Sequence, residues 1–138
     1  MKYLLDTCVV SEFTKSQANT GLRHWLDSQG QRALYLSVIT VGEIQKGITK
    51  LEDAARQSAI QDWLEVLIER FEGRILPIDM EIVRVWGALL GEEQRNGINL
   101  PAIDSLIAST AAVHHMTVVS RNVQDFERCH ASVLNPWA

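Results

Sequence analysis

The amino-acid sequence predicts an α/β fold with a mainly parallel sheet. Short apolar segments of strand length alternate along the chain with longer segments whose apolar residues recur at helical spacing, as in parallel sheets joined by crossover helices. Apolar residues make up 46% of the 138 residues, so one core can form without disulfide support. No repeat, linker or low-complexity segment interrupts the pattern, and residues 1–138 are expected to form a single domain.

The strands are predicted from apolar runs and the residues that flank them. Tyr3-Leu4-Leu5 and Cys8-Val9-Val10 indicate one buried strand within residues 1–10 that carries polar groups at its end. Pro77 places the strand around it at a sheet edge or makes that strand short, because proline has no N–H to donate. The remaining predicted strands are 33–37, 74–78, 117–120 and a short one at 133–134.

Helix starts are predicted where a capping residue precedes an amphipathic segment. Asn19 or Thr20 caps a short helix, and Asp79 caps a helix that stops near residues 96–97. Thr40-Val-Gly-Glu43 has the spacing of a capping box, which predicts a helix start there with continuation toward residue 51. The other predicted helices run from about residue 54 to 71 and from Pro101 to the histidine pair at 114–115.

Charge, cysteine content and hydropathy exclude several classes of protein. With 13 Lys and Arg against 17 Asp and Glu, the net charge is −4, which argues against a module that binds nucleic acid through a broad basic surface. It argues less against a nuclease, whose acids a metal would neutralise. Two cysteines imply no disulfide framework and fit a reducing cytoplasm. No segment approaches the roughly 20 apolar residues of a membrane span, and no signal-peptide pattern is present.

Four acidic residues stand beside predicted strand ends or helix starts, and they are the main functional signal. They are Asp6, Glu43, Asp104 and Asp125. In open parallel sheets, ligands collect beyond the carboxyl ends of the strands, so acids that are distant in sequence can converge there. Carboxylate oxygens suit Mg²⁺ and Mn²⁺, which can clamp the attacking and leaving oxygens of a phosphodiester. The pattern therefore predicts a metal site for cutting nucleic acid.

Each acid also has a structural explanation. Asp6 could cap a turn, and Asp125 could close a turn or cap a short helix. Glu43 could serve only as the glutamate of a capping box. Asp104 would be favoured by the helix dipole in a first turn, although its apolar neighbours predict that it faces inward, where an unpaired carboxylate needs a metal, an arginine or several N–H donors. The four histidines have no metal-ligand spacing, so a zinc site is not predicted.

Four motifs together resemble the PIN-domain toxins of the VapC type, and the FitB-like branch in particular. They are LLDTCVVSE, ITVGEI, PAIDSLIAST and TVVSRNVQDFE, followed by LNPW at 134–137, in family order and spacing over almost the whole chain. The resemblance implies a three-layer fold, with a parallel sheet sandwiched by helices. It also implies that Asp6, Glu43 and Asp104 bind metal.

Two positions depart from the family pattern. Cys8 stands where relatives often have asparagine, and Asn122 stands where a fourth acid is often found. Asp125, three residues further on, matches the acid of the common NxxDF pattern and is a candidate catalytic acid. It could replace or supplement the fourth acid, or the site could have no fourth acid. Thr7, Ser120 and Asn122 are expected to support the acids or to contact phosphate.

The activity implied by the resemblance is that of a Mg²⁺- or Mn²⁺-dependent endoribonuclease, the toxin of a type II toxin–antitoxin system. The implied partners are a cognate antitoxin that inhibits the enzyme, an RNA substrate for which transfer RNA is the family-level expectation, and a second copy in a homodimer that assembles further with the antitoxin. One alternative is a PIN fold that binds RNA or protein without cleaving. Another is a phospho-receiver-like domain with Asp79 as acceptor, although no lysine follows residue 50 to complete it.

Overall fold

The central sheet of the computed structural model, which describes residues 1–138, has five strands. Across the sheet the order is β3-β2-β1-β4-β5, and every neighbouring pair is parallel. The strands are β1 (Tyr3–Leu5), β2 (Leu34–Ser37), β3 (Ile75–Leu76), β4 (Thr117–Val119) and β5 (Val133–Leu134). The predicted fold class is confirmed, and β3, which precedes Pro77, is both short and at an edge.

Seven α-helices connect and cover the strands. They are α1 (Thr7–Glu12), α2 (Thr20–Ser28), α3 (Val38–Thr49), α4 (Ala54–Arg70), α5 (Met80–Arg95), α6 (Ala102–His114) and α7 (Val123–Arg128). Two predicted caps are confirmed, because Asn19 accepts a hydrogen bond from the N–H of Leu22 and Asp79 from that of Ile82. None of the helices is long and apolar enough to cross a lipid bilayer.

Two predictions for the first third of the chain are wrong. Cys8-Val9-Val10 lies in α1 and not in a strand, because the chain leaves the sheet after Leu5 and the Asp6 carbonyl accepts the first helical N–H groups. Burial of Val9 and Val10 in the core outweighs their preference for strands. The capping box is also absent, since Ser37 caps α3 through the N–H of Ile39. Glu43 therefore lies inside the helix with its carboxylate free of capping.

The core consists of two apolar layers, one on each face of the sheet. Because side chains alternate along a strand, Leu5 joins the layer formed with α1, α2, α3 and α4, whereas Leu4 joins the layer formed with α6 and α7. Val119 and Val118 of the neighbouring strand divide in the same way. The helices therefore cover both faces, which confirms the three-layer architecture.

The C-terminal residues pack against the start of α2. The Asn19 side chain accepts a hydrogen bond from the N–H of Ala138 and donates one to its carbonyl oxygen. A Cβ at Gly21 would lie 2.6 Å from the Pro136 oxygen and the Ala138 nitrogen. Only glycine leaves room for the tail at this point.

We expect Gly21→Ala to lower the free energy of unfolding by about 1–3 kcal/mol, because the added methyl group forces the tail away from α2. Chemical denaturation with intrinsic tryptophan fluorescence measures the change. The control is Gly30→Ala, because nothing lies within 4 Å of a Cβ at that position. Equal stability of the two variants would show that the tail contact contributes nothing.

Candidate active site

The first predicted acid lies at the carboxyl end of the central strand β1. Asp6 is 4% exposed, and its backbone N–H still bonds to the Val119 carbonyl of β4. Ser120, which follows β4, donates a hydrogen bond from its hydroxyl to Oδ2 of Asp6 over 2.8 Å. The sheet therefore fixes both residues, and the predicted supporting role of Ser120 agrees with its contact.

Glu43 lies beside Thr7 on the neighbouring helix. The Thr7 hydroxyl donates to Oε1 of Glu43 over 2.6 Å, which joins α1 to α3 directly next to Asp6. Glu43 therefore has a side-chain partner on another helix, although it lies inside α3 and does not cap it. The carboxylate retains further lone pairs after accepting one hydrogen bond, so it can also act as a ligand.

Asp104 lies half-buried in the first turn of α6. Burial, and after it the negative charges of Asp6, Asp125 and Glu43, raises its pKa from 3.8 to about 6. The charges of the other three predicted acids therefore reach Asp104, although the four acids come from four separate segments. A protonation equilibrium poised near neutrality is frequent among functional carboxylates.

Asn122 and Asp125 contribute in different ways. The backbone N–H of Asn122 donates to the Ser120 hydroxyl over 2.9 Å, whereas its side chain is exposed and forms no hydrogen bond that caps α7. Asp125 is half-buried in the first turn of α7, from where its charge reaches Asp104. Of the two candidates for the fourth acidic group, Asp125 is therefore the one whose charge reaches the site.

Cys8 contacts the same carboxylate as Ser120. Its sulfur lies 3.5 Å from Oδ2 of Asp6 and 3.5 Å from the Ser120 hydroxyl. Burial raises the pKa of the thiol, so it stays protonated at neutral pH and can donate to Asp6. Both cysteines are free, as expected, and Cys129, which directly follows α7, is buried.

The chemistry of the donor groups fits a hard divalent cation. The acids supply only oxygen ligands, and a bound cation would relieve their mutual repulsion, which after burial contributes to the raised pKa of Asp104. As the side chains stand, no three His, Cys, Asp or Glu residues lie close enough together to hold an ion. The residue types fit the ion, whereas a closed ligand set is not formed.

Glu12, Arg121 and Trp137 lie near this edge and were not predicted from the sequence to belong to the site. Glu12 is buried, and its carboxylate accepts hydrogen bonds from Lys15 and from the N–H of Asn19, each over 3.0 Å. These contacts, with Lys15 first, hold its pKa below the usual range. Arg121 lies over the ring of Trp137. All three lie within motifs quoted above, LLDTCVVSE, TVVSRNVQDFE and LNPW, so their position in these motifs is the signal that could have singled them out.

The phospho-receiver alternative is not supported by the position of Asp79. This residue follows the edge strand β3, and its Oδ1 is bonded to the N–H of Ile82 over 2.9 Å. A phospho-accepting aspartate belongs at the end of a central strand. Asp79 is a helix cap.

The three-layer fold and the acids at one edge of its sheet define a nuclease-like PIN architecture, and the chain belongs to the PIN domain family, whose family model matches residues 3–130. Toxin FitB of Neisseria gonorrhoeae is 35% identical over 135 residues, covering 97% of both chains. VapC ribonuclease Y4jK of Sinorhizobium fredii is 33% identical over 135 residues, covering 97% of this chain and 96% of the relative.

A solved structure has the same fold. The structure of FitAB bound to an IR36 DNA fragment contains a chain that superposes with a TM-score of 0.90 at 34% identity, covering 99% of this chain and 96% of the other. The resemblance to VapC-type and FitB-like toxins predicted from the four motifs is therefore confirmed.

Proposed function

We propose that the protein is the toxin of a type II toxin–antitoxin system, an endoribonuclease that hydrolyses RNA phosphodiester bonds with Mg²⁺ or Mn²⁺. Relatives with near-complete coverage are named as a VapC ribonuclease and as a toxin. The observation that carries the proposal is the convergence of Asp6, Glu43 and Asp125 on Asp104, whose pKa all three raise. An edge of this kind suits cation-assisted cleavage of a charged backbone.

The metal-binding residues of this proposal are Asp6, Glu43 and Asp104. A divalent cation held by these carboxylates would lower the pKa of water and stabilise negative charge on the phosphate. Hydrolysis would leave a 5′-phosphate and a 3′-hydroxyl. Asp125 adds negative charge beside Asp104 and is the proposed fourth acid.

The supporting residues orient these carboxylates. Ser120 donates to one oxygen of Asp6 and is itself fixed by the N–H of Asn122. Thr7 does the same for Glu43. Hydrogen bonds of this kind fix the direction in which a carboxylate presents its remaining lone pairs, and their loss typically lowers metal affinity or activity by 10- to 100-fold.

We expect Ser120→Ala to lower the cleavage rate about tenfold, because Asp6 loses its oriented donor. The rate is measured at limiting metal concentration, where loss of affinity is visible. Ser109→Ala is the control, since Ser109 is also buried but its hydroxyl bonds only to the Ser105 carbonyl of its own helix. Equal rates for both variants would contradict the orienting role.

The proposed partners follow from the same assignment. A ribonuclease that attacks the RNA of its own cell acts in the cytoplasm and needs an inhibitor, and the FitB-containing complex in the DNA-bound structure is named FitAB. A basic antitoxin side chain, such as arginine, could pair with the acids through charge-assisted hydrogen bonds. The homodimer predicted from the sequence remains a prediction.

The direct test is cleavage of total transfer RNA by purified, antitoxin-free protein in EDTA, Mg²⁺ or Mn²⁺. Fragments are expected only with metal, and they should carry 5′-phosphates that permit ligation without prior phosphorylation. Adding the cognate antitoxin should stop the reaction. A folded protein that binds transfer RNA but cuts neither it nor total cellular RNA in any metal would instead be a non-cleaving PIN module.

A further inference from the structure

Arg121 lies next to the acids at the carboxyl ends of the strands. It stands between Ser120, whose hydroxyl bonds to Asp6 over 2.8 Å, and Asn122, whose N–H bonds to that same hydroxyl over 2.9 Å. The backbone on both sides of Arg121 is therefore fixed relative to the carboxylates. Its exposed side chain starts from a defined point within the candidate site.

Arg121 forms no ion pair within the protein. The only ion pairs in the chain join Lys15 to Glu12 and His130 to Glu93. The positive charge of Arg121 does reach Glu12 and helps to lower its pKa, but that carboxylate is already bonded to Lys15 and to the N–H of Asn19. The N–H donors of the guanidinium group remain free for a ligand.

Trp137 limits where this guanidinium group can go. The central guanidinium carbon lies 5.5 Å from the centroid of the Trp137 ring, within the range of a cation–π contact. The ring packs against the larger apolar layer. The backbone N–H of Trp137 donates to the Asn135 side chain over 3.0 Å. An aromatic platform that is fixed in this way reduces the entropy that the arginine loses on binding a ligand.

We infer that Arg121 binds a phosphate of the RNA next to the scissile one, with Trp137 as its positioning residue; the inference rests on the proposed function. The protein has a net charge of −4 and an edge crowded with acids, so phosphates that are not neutralised by metal need a cation from the protein. Arginine suits this role because its planar fork matches two phosphate oxygens.

The test is RNA cleavage and RNA binding by Arg121→Gln. We expect KM for transfer RNA to rise about tenfold with kcat changed little, because one charge-assisted contact to substrate is lost. On an Asp104→Asn background, which prevents turnover, the salt dependence of binding to fluorescein-labelled transfer RNA should weaken by about one unit of slope. Arg121→Lys should keep the wild-type salt slope and have a KM between those of the wild type and Arg121→Gln. Lysine keeps the positive charge but lacks the planar pair of donors of the guanidinium group.

Two further variants separate the proposed contact from general charge and structural effects. Arg32→Gln makes the same charge change directly before β2, at the amino ends of the parallel strands and away from the acids at their carboxyl ends, and should leave KM and slope unchanged. Trp137→Leu should raise KM about threefold and add nothing on the Arg121→Gln background, because it acts only through the arginine.

Unchanged KM and slope in Arg121→Gln, or equal changes in Arg32→Gln, would overturn the inference. Wild-type protein that binds RNA without cutting it would refute the proposed function, while the binding slope would still decide the role of Arg121. Wild-type protein that neither binds nor cuts RNA would overturn both.

Discussion

Asp6→Asn is expected to lower metal-dependent RNA cleavage at least about 100-fold while the protein stays folded. Asparagine has nearly the same shape and can still accept the Ser120 hydrogen bond, so the main change is the loss of one negative charge at the centre of the site. Initial rates on transfer RNA at saturating Mg²⁺ measure the effect. Thermal unfolding shows whether the fold persists.

The matched control for this variant is Asp79→Asn. Asp79 caps α5, and asparagine caps helices about as well as aspartate, so the same chemical change is made outside the site. Its cleavage rate should stay within about twofold of the wild-type rate, as expected for an ordinary surface substitution. If Asp6→Asn behaved like Asp79→Asn, Asp6 would not be a metal ligand.

Asp104→Asn is expected to abolish cleavage and yet to stabilise the metal-free protein. Burial and the three neighbouring acids raise the pKa of Asp104 from 3.8 to about 6, so the folded state disfavours the ionised carboxylate. Since the group is half-exposed, solvent screening reduces the gain on its neutralisation to about 1 kcal/mol. Denaturant unfolding in EDTA at neutral pH measures it.

The stability difference between Asp104→Asn and the wild type should depend on pH. The pKa is higher in the folded than in the unfolded state, so the stability advantage of the Asn variant is full above pH 6, shrinks as the pH falls towards 3.8 and disappears below that value. Mg²⁺ should reverse the order, because an ion that binds only the folded wild-type protein stabilises it by mass action. An Asn variant that is less stable than wild type in EDTA at neutral pH would contradict the claim that burial and the neighbouring acids destabilise ionised Asp104.

Sequence periodicity predicted the architecture well because most local signals agreed with the packing. Asn19 and Asp79 cap the helices that they were expected to cap, and the strand before Pro77 is short and at the edge. The error at Cys8-Val9-Val10 has a physical cause. A short apolar run fits a buried strand or a buried helix equally well, and only the pairing of β1 with β2 and β4 decides where the strand ends.

Residue type and position were enough to predict which acids come together, but not how they are held. A capping box at Thr40 and a ligand at Glu43 look the same in sequence, and the distinction depends on Ser37 as the cap and on Thr7 as the partner of Glu43. The contact between Arg121 and Trp137 joins two loops whose relation depends on how the C-terminal tail folds back on α2. No local pattern encodes such a contact.

The most direct measurement is an anomalous difference map from crystals of the antitoxin-free protein soaked in Mn²⁺, with Asp104→Asn crystals treated identically. The proposed metal site predicts a peak contacted by Asp6 and Asp104 in the wild-type protein, with Glu43 in the first or second coordination shell, and no peak in the variant. A wild-type map without a peak there, at a Mn²⁺ concentration that supports cleavage in solution, would contradict the assignment of these acids as the metal site.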